Sequence, residues 1–180
     1  MKDKIENWLQ RIDQHSERVN MLFGKLSDVE LNKQSSAKEW SIAQNLQHLM
    51  VINGTYLPAI EEIRAGRQKL GFFGKIAFLR KFFGKIILGS VQPNRKRKMK
   101  TFPVWEPEHI SVGGNLIEAF LKHQEVLKNM ISDSEDLLLK NAVIASPANK
   151  NIVYSLQDAF EIIVSHEERH INQAAEILTK

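Results

Sequence analysis

Hydrophobic residues recur every three or four positions in four segments of this chain, which is the spacing of helices with one buried face. The first segment spans about residues 4–25 and the second begins at Ser41. The third spans about residues 114–131, and the fourth runs from Ser155 to about Leu178. No segment of comparable length has the alternating pattern of a half-buried strand. The pattern predicts an all-α fold, a bundle of four long helices.

Local signals place the starts of two of these helices. Ser41 followed by Gln44 is a capping box, and Trp40 just before it is placed to pack as a hydrophobic staple. Ser155 with Asp158 predicts the same kind of start for the fourth helix. Pro58 lies inside the second segment and cannot donate a hydrogen bond to the preceding turn, so we expect it to kink that helix or to end its first half.

A long connection, residues 67–110, joins the second and third helices. Its length suits a bundle in which these two helices run parallel, which is the up-down-down-up order. The segment FFGKI occurs at 72–76 and again at 82–86, and glycines recur at 71, 74, 84 and 89. These glycines predict short, broken helices within the connection. The segment NAVIASP, residues 141–147, is short and ends in a proline, so it does not predict a sheet.

The composition narrows the class of protein. A chain of 180 residues with 43% hydrophobic residues is long enough for one domain, residues 1–180, with a real core. The absence of cysteine excludes disulfides and thiolate ligands, so any zinc-type site must use His, Asp or Glu. We see no signal-peptide core and no apolar run of about 20 residues, the length of a membrane span. These features predict a soluble, cytoplasmic protein.

The charge is unevenly distributed. The net charge is +4, yet residues 67–100 hold eleven Lys and Arg and no acidic residue, so the rest of the chain sums to −7. The apolar residues of this basic segment can cover the bundle while its charges face water. Alternatively, the segment binds an anionic substrate, or an anionic membrane surface through its interleaved aromatic and basic residues. Nucleic-acid binding is not favoured, because no recognised binding motif is present.

The fourth helix contains the string HEERH, from His166 to His170. Histidines four residues apart lie on one face of a helix, where they can share a metal ion. His166, Glu167 and His170 all fall on the face that carries the apolar stripe of this helix. Because burying unpaired polar groups is costly, this placement favours a functional site.

The same string occurs in zinc peptidases, but the rest of the chain does not support that class. One peptidase class carries its third ligand ten residues after the first histidine, where this chain has Glu176. That class needs a glycine turn after the second histidine, and the residues here continue the helix instead. Ten helical residues span about 15 Å, too far for a shared ion. We also expect no sheet that would bind an extended peptide.

A catalytic zinc-type site has three protein ligands and an open position. The candidates for the third ligand are His48, His123, His15 and His109. His48 is favoured, because it borders the apolar stripe of the well-capped second helix, and bundles build metal sites on facing helices. His123 is second, although polar residues surround it. His15 lies in a polar run and is expected in solvent, and the pattern does not place His109.

Two segments resemble those of a known family. EWSIAQNLQHL (Glu39–Leu49), followed much later by SHEERHINQ (Ser165–Gln173), is similar to the motifs of the DinB/YfiT-like superfamily, whose members are regarded as metal-dependent enzymes. The Trp-Ser opening, the histidine eight residues after the tryptophan and the trailing Asn-Gln all match. The resemblance covers the layout of the whole chain, and its specific motifs cover about twenty residues.

The resemblance implies an up-down-down-up four-helix bundle, often a homodimer, that binds a divalent metal. Its ligands, one histidine from the second helix and two from the fourth, correspond here to His48, His166 and His170. It implies zinc or nickel, with manganese or iron as alternatives. Some relatives transfer low-molecular-weight thiols such as bacillithiol or mycothiol to electrophiles, and others are known as stress-induced proteins.

Two functions of different classes follow. The first is a metal-dependent enzyme that transfers a small thiol to an electrophile or hydrolyses a small substrate. The second is a non-catalytic bundle that binds a metal or an anionic partner through its basic connection. In the enzyme, Glu167 is a general base or the hydrogen-bonding partner of a ligand histidine. Alternatively, Glu167 pairs with a Lys or Arg of a neighbouring helix. Asn45 and Gln173 are amides that can orient the ligands.

Overall fold

The computed structural model describes residues 1–36, 39–70, 77–93, 105 and 113–179. The helices are α1 (Lys2–Phe23), α2 (Asp28–Asn32), α3 (Ile42–Arg64), α4 (Ala77–Val91), α5 (Leu116–Ser132), α6 (Glu135–Leu139) and α7 (Leu156–Glu176), and a 3₁₀ turn (Ile177–Thr179) follows α7. The four predicted long helices are α1, α3, α5 and α7. The mostly helical bundle is therefore confirmed.

Side-chain caps begin two of the long helices. The hydroxyl of Ser41 accepts a hydrogen bond from the backbone N–H of Gln44 (3.1 Å), and the Gln44 side chain accepts one from the backbone N–H of Ser41 (2.9 Å). The hydroxyl of Ser155 accepts from the backbone N–H of Asp158. Both predicted starts are confirmed. Pro58 does not end α3, which continues to Arg64.

Helices α1 and α7 run in the same direction. Near their starts, the indole N–H of Trp8 donates to Glu161 (2.8 Å), and further along both helices Arg18 donates to Asn172. The contacts therefore advance together along the two helices. Helix α1 also packs against α5, α7 packs against α3, and α3 packs against α5. The four long helices therefore share one interior.

Helices α3 and α7 run in opposite directions. Asn45, near the start of α3, contacts His170 late in α7, and Asn53 further along α3 contacts the earlier residue Glu167. An up-down-down-up bundle requires both this antiparallel pair and the parallel pair of α1 and α7. The complete order of the bundle stays a prediction.

The expectation of no sheet is wrong. Strands β1 (Val143–Ser146) and β2 (Asn149–Ser155) form an antiparallel pair between α6 and α7, with Ile144 opposite Tyr154. Pro147 does not disrupt the pairing, because it lies in the turn between the strands, where no ladder N–H is needed. The hydroxyls of Tyr154 and Tyr56 share a buried hydrogen bond of 2.8 Å, which ties this hairpin to α3.

In the connection between α3 and α5, the described residues include a continuous helix, α4. The prediction of short, broken helices is wrong for residues 77–91, because α4 runs through both Gly84 and Gly89. Gly84 is buried, and a Cβ atom there would lie 2.7 Å from a carboxylate oxygen of Asp158. The glycine therefore allows α4 to pack closely on the first turn of α7. Positions 71 and 74 lie outside the described residues.

The interior is divided along the bundle. One apolar cluster includes Trp8 and Phe160, and a second includes Phe23 and Phe120. Between these clusters the helices carry buried polar residues: His15 on α1, His48 and Asn53 on α3, Gln124 on α5, and Glu167 and His170 on α7. These side chains form a polar layer between the two apolar clusters. Within the described residues, no helix is long and apolar enough to cross a membrane.

Candidate metal centre

Three histidines from two helices meet in the polar layer. His48 comes from α3, and His166 and His170 lie one turn apart on α7. One ring nitrogen from each lies within 4.8 Å of the other two. His48 and His170 are buried, and His166 is half-buried. This is the one group of His, Asp or Glu side chains among the described residues with the spacing of a metal site.

The ring of His48 is oriented by a backbone carbonyl. Its Nδ1 lies 2.7 Å from the carbonyl oxygen of Trp105, a residue of the long connection. A carbonyl oxygen only accepts hydrogen bonds, so Nδ1 of His48 carries the proton. Nε2 of the neutral ring therefore keeps its electron pair, which is the form that binds a metal ion.

The ring of His170 is oriented by an amide whose own direction is fixed. The side-chain nitrogen of Asn45 donates to the backbone carbonyl of Ser41 (2.9 Å), so its oxygen points the other way. That oxygen lies 2.8 Å from Nδ1 of His170 and accepts its proton. The electron pair of this ring is therefore on Nε2 as well. Among the described residues, no hydrogen bond joins the other nominated amide, Gln173, to the three rings.

Burial keeps the three rings neutral. It lowers the pKa of His48 to about 4, although the hydrogen bond to Trp105 opposes the shift. Burial lowers the pKa of His166 to about 3, helped by repulsion from His48 and from the guanidinium of Arg169. The pKa of His170 also falls, through burial first and then through the charges of its two partner rings and of Arg169. At neutral pH all three imidazoles are therefore free of a second proton.

An aromatic side chain covers part of the centre. The Trp40 ring stacks on His170, with centroids 5.7 Å apart and planes 21° from parallel, and its centroid lies 4.7 Å from that of His48. The sequence assigned Trp40 to the start of α3. Trp40 comes five residues before Asn45, the partner of His170, and this closeness in sequence is the signal that could have linked it to the site.

Glu167 lies in the polar layer, but among the described residues no hydrogen bond joins its carboxylate to the three histidines. Its carboxylate is 0% exposed and accepts hydrogen bonds from Asn53 (2.8 Å), Gln124 (3.0 Å) and Nδ1 of His15 (3.1 Å). These donors lie on α3, α5 and α1. None of these donors is a Lys or Arg, so within the part of the chain that the structure describes the alternative of an ion pair is wrong, and the carboxylate joins all four long helices instead.

His15 is buried, so the expectation that it lies in solvent is wrong. It stands three residues after Ile12 and four before Val19, both of which are fully buried. This helical spacing places all three on one face of α1, and it is the signal that the polar neighbours of His15 concealed. The partner of its Nδ1, Glu167, explains how the ring is accommodated in the interior.

The remaining candidates do not join the three histidines. His123 on α5 is half-buried near Glu167; burial lowers its pKa, and the charge of Glu167 opposes the shift. Glu176 is exposed at the end of α7, which continues without a break after His170. This continuity agrees with the argument against a peptidase site. His109 lies outside the described residues.

The donor set fits a divalent ion. Imidazole nitrogen suits zinc, nickel, copper and iron, and three protein ligands with a remaining open position are typical of catalytic zinc sites. Two of the three rings already have their Nδ1 protons engaged by Trp105 and Asn45. Orientation by such hydrogen bonds is a regular feature of histidines that bind metals. Three buried or half-buried histidines therefore lie close enough to hold one metal ion.

Comparison with known proteins agrees with this geometry. The model of the DinB superfamily matches residues 11–174, which include all three histidines and nearly the whole bundle. Searches of curated proteins and of solved structures found no significant match. The family match covers far more than half of the chain and spans both helices that carry the three histidines, α3 and α7. The chain belongs to the DinB superfamily.

Proposed function

We propose that this protein is a metal-dependent enzyme whose divalent ion is held by His48, His166 and His170. The observation that carries the proposal is the meeting of three neutral rings, with ligand nitrogens within 4.8 Å of one another, on two helices of the bundle. We expect zinc or nickel, since imidazole ligands suit both. The proposed reaction is transfer of a small thiol to an electrophile, or hydrolysis of a small substrate.

A divalent ion in such a site lowers the pKa of a bound water or thiol, so that an anion is available near pH 7. The chain keeps the three rings in the neutral form, and the hydrogen bonds to Trp105 and Asn45 orient two of them. Arg169 adds a positive charge beside the site, since it contributes to the lowered pKa of both His166 and His170. A fixed cation at this place favours a nucleophile or substrate that carries negative charge, such as a thiol with carboxylate groups.

In the proposed transfer, the thiol gives up its proton and its sulfur forms a bond to an electrophilic carbon. The electron pair of the broken bond leaves with a halide, or stays on the opened oxygen of an epoxide and takes up a proton. In the hydrolytic alternative, water is the nucleophile. It adds to the carbonyl carbon of an ester or amide, the acyl C–O or C–N bond breaks, and the leaving alcohol or amine takes up a proton. Glu167 is not assigned the proton transfer in either case, because its carboxylate is fully buried among Asn53, Gln124 and His15.

Metal content tests the centre. We expect protein purified without a histidine tag to hold about one divalent ion per chain, as a three-ligand site requires. His48→Gln removes one of the three imidazoles and should lose the ion. His123→Gln is the matched control, because His123 is a half-buried histidine outside the cluster and should leave the content unchanged. Elemental analysis after dialysis gives the ratio, and a parent that stays free of metal after addition of zinc and of nickel would overturn the proposal.

Turnover tests the reaction. The metal-loaded parent is assayed with pairs of small thiols and electrophiles, and with small esters and amides. We expect product from the parent and from His123→Gln, and none from His48→Gln. Bound metal without turnover of any substrate in either group would count against the enzyme. It would favour the non-catalytic bundle that binds a metal or an anionic partner.

Asn45 should tune the affinity for the metal without being a ligand. Asn45→Ala removes the acceptor of the His170 Nδ1 proton, so the ring loses its fixed orientation. Loss of such a partner typically lowers metal affinity about 10–100-fold. Gln173→Ala is the control and should bind the metal as the parent does. Competition with a chelator of known affinity measures the metal affinity of both variants. Equal affinities would show that Asn45 does not contribute to metal binding.

A further inference from the structure

Helix α4 exposes apolar side chains on its outward face. Phe78 is 73% exposed, Phe82 48% and Ile86 52%. The three residues are four positions apart, so they form one stripe along the helix. The rings of Phe78 and Phe82 stack on each other with centroids 6.4 Å apart. An exposed apolar stripe of this kind marks a surface that contacts something else.

The other large hydrophobic residues exposed among the described residues do not form such a stripe. They are isolated on separate elements: Met1 and Met21 at opposite ends of α1, Val29 on α2, Val51 on α3, Val126 on α5, Leu139 on α6 and Leu178 in the 3₁₀ turn. Single exposed apolar residues are normal on a protein surface and need no explanation. Among the described residues, a stripe of exposed hydrophobic side chains is therefore found on α4 alone.

The inner face of α4 is firmly attached to the bundle. Gly84 packs against Asp158, and Ile87, Leu88 and Val91 pack against the larger apolar cluster. Arg169 on α7 donates a hydrogen bond of 2.7 Å to the carbonyl of Ser90. Because these contacts fix the helix, its outward stripe is presented on a rigid support.

Basic residues are interleaved with the stripe. Lys81 and Lys85 are exposed and alternate with Phe78, Phe82 and Ile86 along the outward face. No acidic residue occurs anywhere in residues 67–100. Among the described residues no salt bridge is formed by either lysine. The face therefore combines apolar side chains with positive charge that its own helix does not neutralise.

We propose that the outward face of α4 binds the surface of an anionic lipid bilayer. Helices with aromatic and aliphatic side chains beside Lys and Arg lie in the membrane interface, with the apolar groups below the headgroups. The lysine ammonium groups then contact the anionic headgroups while their aliphatic stems lie along the apolar boundary. We choose a lipid surface as the partner because one face of α4 carries both apolar side chains and cations, and an anionic bilayer binds both.

A second copy of the chain fits this face less well. In a twofold contact through α4 the same surface appears on both sides, so Lys81 and Lys85 of both copies would enter one contact to which α4 contributes no acidic residue. Like charges at the centre of a contact are unfavourable. An anionic bilayer has the complementary charge and leaves no lysine opposed to another.

Co-sedimentation of the full chain with vesicles tests the proposal. We expect binding to vesicles made of equal parts phosphatidylcholine and phosphatidylglycerol, and little binding to phosphatidylcholine alone. Binding should weaken between 0.1 M and 1 M salt, since the screening length falls from about 10 Å to about 3 Å. The absence of binding to both kinds of vesicle, or equal binding to both, would overturn the proposal.

Two pairs of substitutions separate the apolar and the charged contributions. Phe78→Ala with Phe82→Ala should lower the vesicle partition coefficient at least about tenfold, because the buried ring area is lost. Its control is Met21→Ala with Val29→Ala, which removes two side chains that are 76% and 81% exposed. We expect this control to bind vesicles as the parent does.

The lysine pair has its own control. Lys81→Gln with Lys85→Gln should lower the partition coefficient about twenty-fivefold, since each basic residue near an anionic surface contributes about fivefold. Lys25→Gln with Lys122→Gln makes the same change of charge at exposed sites elsewhere. Unchanged vesicle binding in both α4 pairs would assign the binding to another part of the chain and overturn the proposal. So would light scattering that shows a dimer in the parent and a monomer in the α4 variants, because the face would then join two copies.

Discussion

Replacing Glu167 with alanine is expected to lower the free energy of unfolding by about 3–5 kcal/mol. The carboxylate is fully buried and accepts hydrogen bonds from Asn53, Gln124 and His15. The variant leaves these three donors without their partner in the interior, and each buried unpaired donor costs about 1–3 kcal/mol. The loss of the unfavourable desolvation of the carboxylate offsets part of the sum. Urea unfolding of the metal-free protein measures the change.

The neighbouring residue provides a matched control. The Glu168 side chain is 40% exposed and approaches Arg11 at 3.7 Å, so Glu168→Ala should change the stability by less than about 1 kcal/mol. The two variants remove the same group from adjacent positions of α7. A similar effect for both would show that the interior hydrogen bonds of Glu167 contribute little.

Glu167→Gln distinguishes the role of the carboxylate further. The amide keeps one accepting oxygen but turns two N–H donors toward side chains that also donate. The side-chain oxygens of Asn53 and Gln124 are buried without a hydrogen-bond partner, so either amide can turn over to accept from the new glutamine. We therefore expect a loss of about 1–3 kcal/mol, smaller than for alanine.

These variants also separate a positioning residue from a general base. A general base removed by substitution lowers the rate of turnover while the stability stays near that of the parent. A carboxylate that joins four helices instead lowers the stability, and it changes turnover through the orientation of His166 and His170 on the same helix. A stable Glu167→Gln variant without turnover would return Glu167 to the catalytic role that the sequence suggested.

The long helices could be predicted because their signals are local. The three-and-four spacing of apolar residues gives α1, α3, α5 and α7, and the Ser41 and Ser155 caps place two of the starts within one residue. The two strands of the hairpin are adjacent in sequence, but they are short, and the contact that ties them to the bundle comes from a distant element: the hydroxyl of Tyr154 on β2 meets that of Tyr56 on α3. The local pattern therefore did not predict the hairpin. Gly84 was misread for a similar reason, since its role is the approach of Asp158 rather than the end of a helix.

The candidate site was partly predictable. His166 and His170 are brought together by the period of one helix, so their sequence spacing is sufficient. His48 required the pairing of α3 with α7, which the apolar stripes suggest but do not specify. The carbonyl of Trp105 that orients His48 lies 57 residues away, in the long connection between α3 and α5. No sequence period indicates that contact, because the spacing of apolar residues relates positions within one helix and not positions so far apart.

Lowering the pH from 6.5 to 5 should destabilise the metal-free protein by about 3–5 kcal/mol. In the unfolded chain the three histidines take up protons near the ordinary pKa of about 6.5. In the folded chain the pKa is lowered to about 4 for His48 and to about 3 for His166, and that of His170 is lowered as well. Below pH 6.5 the unfolded state therefore binds more protons than the folded state. The free energy of unfolding decreases as the pH is lowered, until the rings of the folded protein are protonated as well.

Urea unfolding of the chelated protein at several pH values measures this slope. The variant with glutamine at positions 48, 166 and 170 has lost the three lowered pKa values and should show a much flatter profile over the same range. In the parent, protons compete for the metal ligands only near the lowered pKa values, so the metal should stay bound well below pH 6.5. A parent profile as flat as that of the triple variant would show that the rings titrate normally in the folded protein, and that the site is open to water rather than enclosed between α3 and α7.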